Sequence, residues 1–294
     1  MIPHSELDRL KRQRPEWTPW LAVVEGALRE TTTGQWDEAV PVRPAAGRRS
    51  VPLLSGATVN VKASAVRQLL RRLIDIASRA DTSQMSTLRR ALDLETEIDP
   101  AAVFSASLSQ DSDRLGAIAA AFGTDRQAFE AVVALVAVPF LQACNRKWAR
   151  EIPNTWLEGY CPVCGAWPAF AEVRGIERTR HLRCGRCGGE WHAHILHCAF
   201  CDNSSHDELI TLVPETAGTA SVIEACRRCR GYMKTMTKLQ GCAPNAVMLE
   251  DLGTVALDVA ALEQGYTRPA GTACTLDVNV NVAAAGGRFF AWNV

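Results

Sequence analysis

Four Cys-x-x-Cys pairs, Cys161/Cys164, Cys184/Cys187, Cys198/Cys201 and Cys226/Cys229, lie within about a quarter of the chain and constrain its fold more than any other feature. Each pair sets two thiolates on one tight turn, close enough to grip a single ion, and two such turns complete a tetrahedral four-sulfur site. Nineteen residues separate Cys164 from Cys184 and twenty-four separate Cys201 from Cys226. Each gap suits a hairpin that returns one pair to the other, so the pairs are expected to close two sites in sequence order. Pro162 presets φ inside the first turn, and Gly165 and Gly188 can take φ > 0 just after the second cysteine of their pairs. Asp202 and Arg230 occupy the corresponding places in the last two turns, which are expected to be looser.

Four thiolates on a divalent ion leave a local charge of about −2. Arg180, Arg183, Arg186, Arg227, Arg228 and Arg230 lie near the pairs, either to offset it or as solvated surface. His192, His194 and His197 read as surface or supporting residues, because eight cysteines already fill two four-coordinate sites. Trp191 reads as core of the small domain. Cys144, Cys242 and Cys274 lack a paired spacing and read as structural. Disulfides are the alternative, but disulfide scaffolds are small and secreted. Here 294 residues open on Met1-Ile2-Pro3-His4-Ser5-Glu6, with no apolar core or cleavage site of a signal peptide. Eleven cysteines in such a chain point to a reducing compartment, the cytoplasm.

Lys plus Arg number 32, as do Asp plus Glu, so the charge gives no footprint for nucleic acid or an anionic membrane. The apolar run Ala131 to Leu141 falls short of the roughly 20 residues that span a bilayer. Residues 1–155 read as a helical domain. Glu6 to Arg14 and Trp17 to Glu30 are periodic, then Thr31 to Ser55 is polar and holds prolines. Ser64 to Arg79 puts Val66, Leu69, Leu70, Leu73, Ile74 and Ile76 on one face, leaving Arg67, Arg71 and Arg72 to solvent. Further helices are expected over Met85–Leu94, from Asp99-Pro100, over Ser112–Phe122 up to Gly123, and from Thr124-Asp125 as one central helix kinked at Pro139.

Near Glu151-Ile152-Pro153 the composition shifts to Cys, Gly, Arg and aromatics. Residues 156–195 are expected to form a first metal module and 196–242 a second. Each is built on a hairpin, Ala169–Val173 with Thr179–Arg183 and Leu209–Val213 with Ala220–Glu224, as a weak internal repeat. A docking helix follows over 243–268, with Met248, Leu252, Val255, Val259 and Leu262 on one face. The tail 269–294 carries the alternating run Leu276, Val278, Val280, Val282, read as a strand that packs back onto a module rather than one reserved for a partner. The fold class expected is therefore α+β and multidomain: a helical bundle, two metal modules and a C-terminal helix. Neither a nucleophile elbow, a phosphate-cradling loop nor HExxH occurs, and a four-thiolate site leaves no open coordination position, so the chain reads as non-enzymatic.

Several runs together resemble the formate dehydrogenase accessory protein family (FdhE). They are Cys161-Pro162-Val163-Cys164-Gly165, Arg180 to Cys187, Glu190-Trp191, Cys198-Ala199-Phe200-Cys201 and Glu224 to Lys234, with Glu250-Asp251-Leu252, Ala256-Leu257-Asp258 and Glu263 to Tyr266. The likeness covers roughly 156 to 268, and Asp202 stands where the family has Gly. The resemblance implies a cytoplasmic maturation factor that contacts the catalytic subunit of an exported formate dehydrogenase. It also implies rubredoxin-like modules, each holding iron on four cysteines, with zinc as the substitute. An electron-transfer protein and a zinc-ribbon nucleic-acid binder are the competing readings.

Overall fold

The computed structural model describes residues 4–42, 50–79, 84, 87–88, 98–213, 220–283 and 289–291. It is an α+β chain of two compact units. One comprises Met1–Ala45, Leu54–Lys147 and Thr275–Val294, the other Ala46–Leu53 and Trp148–Cys274.

The first unit is mainly helical: α1 His4–Gln13, α2 Thr18–Glu30, α3 Ala63–Ser78, α4 Pro100–Ser109, α5 Ser112–Ala121, α6 Arg126–Val133 and α7 Val138–Trp148. The starts follow the capping rules. Asp99, Asp111 and Asp125 each accept a backbone N–H of the first turn, from Ala101, Arg114 and Ala128. The periodic face of α3 buries Val66, Leu69, Leu70, Leu73 and Ile74. Trp36 stacks on Phe104 at 6.0 Å, and Phe104 meets Phe140 edge-on at 5.6 Å, in the middle of this core. The helix expected over Met85–Leu94 lies largely outside the described residues.

The expected central helix is not one kinked rod. It breaks at Ala134–Ala137, and Pro139 sits in the first turn of α7, where a missing N–H costs nothing. By length and composition the stretch Arg126–Glu151 could cross a membrane, but 78% of its most apolar window is buried inside the fold.

A strand absent from the sequence reading, β1 Thr58–Lys62, leads into α3. It pairs in parallel with β8 Asn279–Ala283, and β9 Phe289–Ala291 adds to β8 antiparallel. The alternating tail therefore packs within the helical unit, not on a metal module. Val59-Asn60-Val61 and Val280-Asn281-Val282 run side by side in register, with Asn281 Nδ2 donating to Asn60 Oδ1 at 3.1 Å.

The second unit is built on one six-stranded sheet. Its strands are β2 Phe170–Arg174, β3 Thr179–Arg183, β4 Glu190–His192, β5 Leu209–Leu212, β6 Ser221–Cys226 and β7 Tyr232–Lys238, in the order β4-β3-β2-β7-β6-β5. Each half runs Cys turn, two antiparallel strands, Cys turn, third strand. The halves join through the parallel pair β2/β7, with Ala171 opposite Thr235 and Val173 opposite Thr237. Both hairpins anticipated from alternation are present.

The expected single docking helix is two, α8 Val247–Gly253 and α9 Val255–Glu263, broken at Thr254. The break shifts the phase of the apolar face. Val247, Leu249 and Ala261 are buried, whereas Val259 and Leu262 are 49% and 55% exposed. Ala261 and Tyr266 pack on Ile223, Ala225 and Tyr232, and Val247 packs on Phe170 and Met236. Leu249→Ala is therefore expected to cost about 2–5 kcal/mol in denaturant unfolding, and Val259→Asp to stay within about 0.5 kcal/mol of the parent.

Candidate metal centres

All four Cys turns share one backbone. The N–H of the residue after the second cysteine donates to the first cysteine's carbonyl: Gly165 to Cys161, Gly188 to Cys184, Asp202 to Cys198 and Arg230 to Cys226, at 2.9 to 3.0 Å. In return the first cysteine's N–H donates to the carbonyl one residue further on, at Ala166, Gly189, Asn203 and Gly231, each at 2.9 Å. The residue after the second cysteine is left-handed in every turn, with φ of 67° at Gly165, 73° at Gly188, 56° at Asp202 and 61° at Arg230. The last two turns are thus not looser than the first two.

A non-glycine residue in that region costs roughly 1–2 kcal/mol, and local bonds offset it. Asp202 Oδ1 lies 2.9 Å from His197 Nδ1. Arg230 donates to the carbonyls of Gln264 and Gly265 and lies 4.2 Å over the Tyr266 ring.

The hairpins bring the turns together as the spacing predicts. Cys161, Cys164, Cys184 and Cys187 form one group, Cys198, Cys201, Cys226 and Cys229 the other, and within each the sulfurs lie within 4.8 Å of one another. Across the first group Cys161 faces Cys187 at 3.4 Å and Cys164 faces Cys184 at 3.6 Å. Across the second, Cys198 faces Cys229 at 3.6 Å and Cys201 faces Cys226 at 3.8 Å. A disulfide needs about 2.05 Å. A tetrahedron with metal–sulfur bonds of about 2.3 Å has edges of about 3.8 Å. These separations fit an ion between the sulfurs, and each group can hold one.

Peptide N–H groups also point at sulfur: Gly189 to Cys187 at 3.4 Å and Gly231 to Cys229 at 3.3 Å. Burial pushes the Cys161 and Cys187 thiols up, while hydrogen bonds from the other three thiols pull Cys184 well down. In the second group burial raises Cys226, but the Cys229 N–H and the Asn203 amide outweigh it and bring that thiol to about 7.

The groups differ in exposure. Every cysteine of the first is fully buried. In the second, Cys201 is half-buried and Cys229 exposed.

The charged residues around them divide in two. Arg227, Arg228 and Arg230 are exposed, but Arg180 and Arg183 are buried and matched to carboxylates. Glu172, fully buried on β2, accepts from Arg174 Nε at 2.9 Å, Arg183 at 3.2 Å and the Cys242 N–H at 3.1 Å. Lys234, fully buried on β7, lies 2.7 Å from both Asp251 and Asp258, which also bind Arg268. Neither network was evident as such from composition, although Lys234, Asp251 and Asp258 fall in the runs that carry the family likeness. Trp191 is core, its Nε1 donating to the Glu158 carbonyl. His192 and His194 are exposed and His197 half-buried, and no histidine enters either sulfur group.

Acid should weaken this unit in two stages. Burial and the nearby Arg174 hold His181 below its ordinary 6.5. The unfolded chain then takes a proton that the fold refuses, and stability drops as the pH falls below 6.5. Burial raises Glu172 and Glu190, but Arg174 and Arg183 prevail and hold both below 4.5, so their contribution is present above 4.5 and is lost as the pH falls further. Thermal midpoints measured from pH 8 to pH 4 should show both stages, and His181→Gln should lack the upper one.

Comparison with known proteins agrees with this architecture. Residues 196–274 match the FdhE C-terminal domain. The FdhE homologue of Aquifex aeolicus is 32% identical over 118 residues, which is 38% of this chain and 40% of that protein. FdhE of Escherichia coli O127:H6 is 32% identical over 111 residues, 37% of this chain and 35% of its own. The Pseudomonas aeruginosa homologue is 32% identical over 146 residues, covering 45% and 47%. The chain thus aligns with less than half the length of these curated relatives. The crystal structure of the FdhE protein from Pseudomonas aeruginosa shares the fold, with a TM-score of 0.58 over 90% of this chain and 91% of that one at 21% identity. Paired cysteine turns, matched domain and shared fold converge: residues 196–274 are similar to the FdhE C-terminal domain, and the fold is that of an FdhE protein.

Proposed function

We propose that the chain is a non-enzymatic accessory protein in the maturation of a formate dehydrogenase, acting in the cytoplasm on its catalytic subunit. The observation that carries this reading is the FdhE C-terminal match, which spans the whole second four-cysteine group and the helices packed beside it. The eight cysteines Cys161, Cys164, Cys184, Cys187, Cys198, Cys201, Cys226 and Cys229 are the ligands. Each group takes one iron ion, with zinc the alternative, since tetrahedral sulfur accepts either. The metals hold the six-stranded sheet rigid as a platform for the client.

Anaerobic affinity purification from a host that expresses the enzyme tests this. The catalytic subunit is expected to come down with the chain, and deletion of the gene should abolish formate dehydrogenase activity. Activity unchanged in the deletion, with no subunit retained, would contradict it. The exposure of Cys229 favours a second reading, one-electron transfer through the second site. Iron-loaded protein whose visible bands bleach and return reversibly, together with client failure in a redox-silent zinc form, would support that reading instead.

A further inference from the structure

The turns of the two sulfur groups press on one another. Gly159, two residues before Cys161, lies against the Ala199 carbonyl inside the Cys198/Cys201 turn, so closely that a Cβ on Gly159 would overlap that oxygen. Trp167, three residues after Cys164, meets Phe200 of the same turn edge-on, with ring centroids 5.3 Å apart. The Phe200 ring also fills the space beside Gly231, where a Cβ would come within 2.6 Å of it. Phe200 is thus held between a flank of the first sulfur group and the residue whose N–H points at the Cys229 sulfur.

A second connection runs through the segment 267–273. At one end the Thr267 N–H donates to the Arg230 carbonyl at 2.9 Å, and at the other the Ala273 N–H donates to the Gly165 carbonyl at 3.2 Å. Arg230 and Gly165 are equivalent positions, the left-handed residues that close the Cys229 and Cys164 turns. Between those ends Arg268 is fastened to Asp251 and Asp258, at 2.8 and 2.7 Å. A short strap therefore joins the same backbone position in both sites.

Coupling between two sites requires an element whose position both of them bias. The Ala199-Phe200 stretch meets that requirement. It lies between two ligands of the second group, and Gly159 and Trp167, which flank ligands of the first, set its place. Close-packed contacts of this kind have little slack, so a displaced turn on one side displaces the other.

We propose that the two sites fill as a pair. Cys161 and Cys164, once drawn together on an ion, fix Gly159 and Trp167, and these place Ala199 and Phe200 so that the second four-sulfur site gains affinity. By linkage the second site strengthens the first by the same factor. The inference rests on the eight-cysteine ligand assignment and deepens it: the sheet platform has an empty state and a fully loaded state, with little of the one-ion form between them.

The test titrates the reduced, metal-free full chain with zinc under anaerobic conditions and counts ions per molecule by native mass spectrometry. At one equivalent, the one-ion chain should hold less than half the share that two equal, independent sites would give, which corresponds to a coupling of about tenfold. Gly159→Ala, which pushes the Ala199 carbonyl aside, should raise that share to the independent value while excess zinc still loads two ions. Phe200→Leu keeps an apolar side chain but drops the ring contact. It should raise the share part of the way, and it decides the matter if Gly159→Ala cannot hold two ions. A one-ion share in the parent at or above the independent value would overturn the inference, as would a share unchanged in both variants. A parent that takes fewer than two ions in excess zinc would remove the ligand assignment itself, whereas two ions reached through a dominant one-ion chain would remove only the coupling.

Discussion

Changing Cys161 and Cys164 to alanine together is expected to unfold the whole second unit, not only its first half. Structural zinc contributes an apparent 10–16 kcal/mol or so to small metal-dependent folds, against roughly 5–15 kcal/mol of net stability in a typical domain. The loss exceeds the margin. The first sulfur group is sealed, so no solvent or substitute ligand can replace the missing pair. The damage spreads because β2, which the first group anchors, is the parallel neighbour of β7, which runs directly out of the Cys226/Cys229 turn. Bound metal should fall from two equivalents to fewer than one, and the strand signal in circular dichroism should fall with it. The helical signal should persist, since the core around Phe104, Phe129 and Phe140 lies in the other unit. Retention of one full equivalent with an intact sheet would show that the two halves fold independently.

Glu172→Ala is expected to cost about 3–5 kcal/mol, the loss that follows when one partner of a buried ion network is removed. The carboxylate is fully buried at the centre of the sheet and receives Arg174, Arg183 and the Cys242 N–H. Without it, the buried Arg183 keeps the Gly188 and Cys242 carbonyls but only one carboxylate, Glu190, whose side chain is 49% exposed, and the Cys242 N–H loses its acceptor. Glu172→Gln should cost less, since an amide oxygen still accepts hydrogen bonds. Denaturant unfolding of the metal-loaded protein measures both. A Glu172→Ala penalty under about 1 kcal/mol would show that solvent reaches this network.

The sulfur groups were legible in the sequence because ligand spacing is a local property. Two cysteines three apart define a turn, and the hairpin between turns fixes which pairs meet. The helices of the first unit were legible for the same reason, through Asp99 and Asp125 at their starts and the periodic face of α3.

The remainder depended on distant parts of the chain. β1 is five residues long and gains its place only from Asn279–Ala283, more than two hundred residues on. The shared Val-Asn-Val pattern was the available signal. The apolar residues from Met248 to Leu262 keep a 3.6-residue period that suggests one helix, but the backbone turns at Thr254 and makes two. Asp202 and Arg230 suggest looser turns in sequence because glycine is the usual left-handed residue, yet both adopt that conformation. His197 and Tyr266, which support them, come from neighbouring turns and from the far side of α9. Glu172 and Lys234 carry no local mark of burial; they lie on the central strands β2 and β7, where successive residues are buried.

X-ray absorption on the purified, fully loaded chain, with metal counted per polypeptide, tests the central claim most directly. Two ions per chain are predicted, each with four sulfur neighbours at about 2.3 Å and no nitrogen or oxygen in the first sphere. One ion, a mixed ligand set, or sulfur–sulfur distances near 2.05 Å would contradict it.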